Sequence, residues 1–175
     1  LSIPFATLLG NDSPGPGEAT GPEAQTLTIT AVSALTAGGG TVALGPNQTV
    51  VYTPATDFKG QFLFTYTAED NGSPKLSGTA TVTVTVAAVN DNPIAGNDSF
   101  NGTEDTTLTI PADNTNIVAG NLLFNDAPGP ATATDEASQT RSVTGVSSTS
   151  TQGGTVSLAA GVISYTPRAN FNGID

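Results

Sequence analysis

The sequence predicts an all-β chain of two tandem Greek-key β-sandwich repeats, residues 1–92 and 93–175, both cut by the ends of the sequence. Three observations predict it. A long block of sequence occurs twice. The strongest periodic segments alternate every second residue. Turn signals rich in Gly and Pro separate these segments, and no amphipathic helical pattern stands out.

The duplication runs from Leu8-Leu9-Gly10-Asn11-Asp12-Ser13-Pro14-Gly15-Pro16 to Leu122-Leu123-Phe124-Asn125-Asp126-Ala127-Pro128-Gly129-Pro130. It continues without a gap to Gly39-Gly40-Thr41-Val42, which returns as Gly153-Gly154-Thr155-Val156, with about half of the aligned positions identical. After a one-residue slip, Tyr52-Thr53-Pro54 matches Tyr165-Thr166-Pro167 and Phe58 matches Phe171; upstream, Leu1–Pro4 matches Leu108–Pro111. A period of roughly 110 residues suits a sandwich of about 100 residues.

Thr79–Val86 places Val on one face and Thr on the other, and Phe62, Phe64, Tyr66 and Ala68 share a face of a second strand. Shorter strands are predicted near Thr26–Ser33, Gly40–Leu44, Thr49–Thr53, Ser99–Asn101, Thr106–Ile110, Gln139–Ser147, Thr155–Leu158 and Val162–Thr166. Nothing aligned with Phe62–Ala68 or Thr79–Val86 occurs in the second copy, so its apolar face is predicted to be partly uncovered. The loops Gly10–Gln25 and Asn125–Gln139 are long, polar and rich in Gly and Pro, a length that calls for a function or a local organiser.

Composition narrows the chemistry. The net charge is −11, with Lys59, Lys75, Arg141 and Arg168 as the cations. Nucleic-acid backbones and anionic membranes are disfavoured partners, and divalent cations favoured ones. There is no His and no Cys, which removes Ser-His and Cys-His nucleophile pairs and thiolate metal sites. No stretch reaches transmembrane length. Paired carboxylates of a glycosidase remain conceivable, but acids in the turns of a duplicated unit fit a spacer better than an active site.

The end of copy one reads Ala68-Glu69-Asp70-Asn71-Gly72-Ser73-Pro74-Lys75-Leu76-Ser77, then the Thr/Val strand, then Val89-Asn90-Asp91-Asn92-Pro93. This resembles the close of a cadherin repeat. Asn97-Asp98-Ser99-Phe100 with Glu104-Asp105-Thr106, the Leu-Leu-x-Asn-Asp segment and Tyr-Thr-Pro-x-x-x-Phe-x-Gly are similar to the cadherin-like and immunoglobulin-like tandem repeats of large bacterial surface proteins. The resemblance implies an extracellular chain, secreted or surface-anchored, with calcium at junctions between repeats. It also implies that Asp70, Asn90, Asp91 and Asn92 are ligands. The sequence departs from the animal pattern at Asp57-Phe58-Lys59-Gly60-Gln61, where an acidic D-x-E is missing; one ion or none is expected, not a cluster.

From the residues themselves, Asp91, Asn92 and Glu104, with Asn90 and Asp98 beside them, gather oxygen donors of the kind calcium takes. Asn11, Asp12, Glu18 and Glu23, and their counterparts Asn125, Asp126, Asp135 and Glu136, form a second candidate set in the two long loops. The alternative at each place is an Asx turn with a stiff, Pro-containing connection. Asp70 is expected to be a solvated turn acid unless it is a ligand. The expected role is a structural or adhesive spacer that extends and, with calcium, stiffens a longer protein. Its partners are neighbouring repeats, with homophilic, cell-surface or glycan contacts made through other domains. The rival is a carbohydrate-binding module of a polysaccharide-degrading enzyme, which would display exposed aromatics; Tyr52, Tyr66 and Tyr165 instead occupy strand positions that read as core.

Overall fold

The computed structural model describes residues 1–15 and 25–175. The chain divides into two compact units, Leu1–Val89 and Asn90–Asp175.

The first unit is a two-sheet sandwich. One sheet has the order β1 (Ser2–Pro4), β4 (Thr49–Pro54), β3 (Gly40–Gly45), and the other β2 (Leu27–Ala34), β5 (Gly60–Asp70), β6 (Ser77–Val86). All pairings are antiparallel. β5 is the central strand of its sheet, and its inward positions are Phe62, Phe64, Tyr66, Ala68 and Asp70. Phe62 and Phe64 are fully buried, and Phe62 stacks on Tyr52 of the facing sheet at 4.2 Å between ring centres. Val50, Ile29 and Phe5 complete the centre of this core. The Tyr52 hydroxyl donates to Gly39 O at 2.7 Å, so the buried polar end of the ring is satisfied. On β6 the predicted alternation holds, with Val82, Val84 and Val86 half-buried against the core and Thr81, Thr83 and Thr85 exposed.

The start of β3 shows why Gly-Gly-Thr-Val is duplicated. Gly40 has φ +125°, and a Cβ there would stand 2.2 Å from Thr53 O. At its counterpart Gly154 a Cβ would meet Thr166 O at 2.9 Å. Both copies need a bare backbone where β3, or its equivalent, crosses its neighbour.

The second unit has one three-stranded antiparallel sheet among the described residues, ordered β7 (Leu108–Pro111), β9 (Val162–Thr166), β8 (Thr155–Ala159). It matches the β1-β4-β3 sheet of the first unit, strand for strand. Ile110, Ala112 and Ile163 form its buried core, with Phe100, Leu122, Val143 and Val146 packed against them.

Two predicted strands do not form. Residues 99–101 and 139–147 carry no ladder pairing. The second segment aligns with β2, which in the first unit is held by its hydrogen bonds to β5. Among the described residues no segment stands in the β5 place of the second unit. Val143 and Val146 still turn inward, but the backbone around them has no ladder to join. Between β7 and the second long loop the chain forms a turn system instead of strand. Asn121, 3% exposed, donates from Nδ2 to Asp113 O and Asn116 O and accepts from Leu123 N–H.

Candidate functional site

In the first unit, the start of the Gly10–Gln25 loop and the turn between β5 and β6 meet at the end of β5. Because β5 alternates strictly, Asp70 falls on the same face as Phe62, Phe64, Tyr66 and Ala68, and it is 4% exposed. It is therefore not the solvated turn acid expected from its neighbourhood of Asn, Gly and Pro. Its Oδ1 accepts the N–H groups of Gly72 at 3.1 Å and Leu76 at 2.9 Å, which closes the turn between β5 and β6. Glu69, one residue earlier, points outward and forms an ion pair with Lys75 at 2.8 Å.

Asp70 lines a cavity of about 290 Å³ together with Asp12, Tyr66, Leu27 and Leu76. The Tyr66 hydroxyl donates to Asp12 Oδ2 at 2.6 Å and to Leu8 O at 3.1 Å. Burial first, then the hydrogen bond to Asp12 and its negative charge, push the Tyr66 hydroxyl up to about 12. Asp12 thus anchors the loop after β1 to the core. Tyr66 is the residue that reading from sequence assigned only to the core; the available signal was that a buried tyrosine hydroxyl needs a partner. Glu18 and Glu23, proposed with Asp12, lie outside the described residues.

The second unit uses its matching aspartate differently. Asp126 Oδ1 accepts Gly96 N–H at 2.8 Å, and Ala127 pairs with Ile94 in an isolated antiparallel bridge. The segment after Asn90 is thereby stitched to the long loop. Asp91, Asp98 and Asp126 line one cavity of about 670 Å³, with Asn90, Gln139 and Arg141. Gln139 Nε2 donates to Asn90 Oδ1 at 2.9 Å, and the Arg141 guanidinium donates to Asp126 O. Asn92 and Glu104 are exposed, and neither lines that cavity. Asp105, beside Glu104, accepts Asn170 N–H at 2.8 Å.

Glu136 is the least exposed acid of the described chain, at 1%. Its Oε1 accepts Asp91 N–H at 3.1 Å, while its Oε2 is buried and makes no hydrogen bond. Among the described residues no three acidic side chains converge on one point. An ion held here would therefore rely on one or two carboxylates with neutral oxygens. The donors are all oxygen, the set that suits calcium rather than a softer metal, and the orphaned Glu136 oxygen fits such an ion. Aromatic display is sparse: of the described Phe and Tyr side chains, Phe124 alone is exposed, at 57%, while Tyr52 and Tyr66 are buried.

Comparison with known families divides the chain as its geometry does. Residues 2–87 match the model of a cadherin-like domain, and residues 90–175 match that of a bacterial Ig domain. Neither a curated protein nor a solved structure matches the chain significantly.

Proposed function

This chain belongs to the tandem cadherin-like and bacterial Ig-like repeats, and on that premise we propose that it is a spacer that extends a longer extracellular protein and is stiffened by calcium. Domains of these two kinds are typical of extracellular proteins and are typically non-catalytic repeat modules. Among the described residues no helix is long and apolar enough to cross a membrane. The observation that carries the reading is the duplication itself, two units of one design in tandem, each with its own core.

In this reading the acids near residues 90–98 do mechanical work. Like charges close together repel, and a divalent cation between them converts repulsion into a restraint on bending. With no His or Cys in the sequence, nothing in either cavity resembles an activated nucleophile. The array length would then set how far another domain stands from the cell. Small-angle scattering of a recombinant tandem of these repeats, with calcium and with chelator, tests the proposal. A longer, narrower distance distribution with calcium is expected; identical curves would remove the calcium part of it.

A further inference from the structure

We propose that the second unit holds a cation site of its own in which the Glu136 and Asp91 carboxylates are the two anionic ligands and calcium is the ion. The proposal rests on the calcium reading above and places an ion within one unit, on a residue outside the cadherin-type motifs.

The argument begins with the orphaned oxygen. Glu136 lies at the start of the 3-10 turn Glu136–Ser138, almost wholly buried. A buried carboxylate oxygen without a partner is a large local penalty, and proteins remove it with a donor, a proton or a cation. No donor reaches Oε2. No salt bridge joins Glu136 to a Lys or Arg among the described residues; the nearest candidate in sequence, Arg141, donates Nη1 to Asp126 O and keeps its buried Nε without a partner.

The surroundings hold this acid in place. The Asp91 N–H bond to Oε1 ties it to the Asn90–Pro93 stretch. Gly129 is buried beside it, and a Cβ there would stand 2.9 Å from Glu136 Cγ and 3.6 Å from Asp91 Cβ. Both acidic side chains therefore run past the same point of backbone, on the side where Gly129 has no side chain. Asp91 also lines the solvent-open cavity of this unit, which gives an ion a route to its carboxylate, while Glu136 does not line that cavity. Two carboxylates with backbone carbonyls and water make a weak calcium site, of the kind found in extracellular modules.

The test is an amide NMR titration of the full 175-residue chain, stripped with chelator and then given calcium chloride. Saturable shifts of the Asp91, Gly129 and Glu136 amides are expected, with a dissociation constant in the range of about 0.1–1 mM. Glu136→Gln keeps an acceptor for the Asp91 N–H and loses the charge; it should fold and bind calcium at least about tenfold more weakly, as should Asp91→Asn. Glu104→Gln, outside the cavity, should bind as the parent does. Unshifted Asp91 and Gly129 amides at about 10 mM calcium, or parent-like binding by Glu136→Gln, would overturn the site. So would a Glu136→Gln chain more stable than the parent with no calcium response in either. Calcium-dependent stiffening of a tandem that persists in Glu136→Gln would sink this site and leave the spacer reading standing.

Discussion

Leu27–Ala34 in the first unit and residues 141–148 in the second descend from one repeated sequence, with Thr30, Val32 and Ser33 returning as Thr144, Val146 and Ser147. One is a strand and the other is not. The difference is the neighbour. β2 exchanges hydrogen bonds with β5 from Leu27–Asp70 to Ala34–Phe64, whereas residues 141–147 pair with no strand among the described residues. Strand formation here is a relation between two segments, and β propensity alone does not supply it. The tyrosines make the same point. Tyr52, under Phe62, is 1% exposed and bonds Gly39 O. Tyr165 has no ring above it and donates instead to the Asp175 carboxylate at 2.7 Å. Desolvation would raise that carboxyl, but the donors Ser150, Tyr165, Gln152 N–H and Thr151 outweigh it and hold it down to about 2.

The largest expected contrast is in hydrogen exchange. Amides of β2 paired to β5 should exchange on the order of a thousandfold more slowly than those of residues 141–147, since the former open with the whole unit and the latter locally. Equal protection in both would break the comparison. Next is Phe62→Ala, which removes the ring shared by both sheets and should destabilise the first unit by about 3–5 kcal/mol in denaturant unfolding. The β7-β9 amides should keep their protection, because the second unit has its own core; joint loss would mean the units are not independent.

Asp70→Ala should cost about 1–3 kcal/mol, because it strips the acceptor from the Gly72 and Leu76 N–H groups. On the outward face of β5, Glu69→Ala should stay within about 0.5 kcal/mol, since its ion pair with Lys75 is exposed. Equal effects would show that the inward placement of Asp70 has no energetic weight. The smallest effect is Tyr66→Phe, about 1 kcal/mol at neutral pH. Its pH signature is more telling. The folded hydroxyl titrates near 12 and the unfolded one near 10, so its stabilising contribution is present below pH 10 and lost as pH rises towards 12. A stability profile of the parent that falls across that window more steeply than that of Tyr66→Phe supports the Asp12 bond; superimposable profiles would refute it.

Much of this was legible from residues alone. The period-two runs gave β5 and β6, and Gly-Gly-Thr-Val marked the start of β3 and β8. The same alternation, carried one step past Ala68, would have placed Asp70 inside; the Asn, Gly and Pro after it obscured that step. Of the acids singled out, Asp91, Asp98 and Asp126 share a cavity, while Glu104 and Asn92 stand apart from it. Spacing cannot separate these cases, because which loop folds over which depends on contacts such as Ile94–Ala127, thirty-odd residues apart.

The sequence by itself determined the repeated all-β plan, because alternation and turn chemistry are local and were written twice. Tertiary structure alone decided that residues 141–147 join no ladder, that Asp12 bonds a core tyrosine while its counterpart Asp126 bonds a backbone amide, and that Glu136 is buried with one oxygen unmatched. Each of these is set by what lies opposite in space, and identical short sequences can face different neighbours.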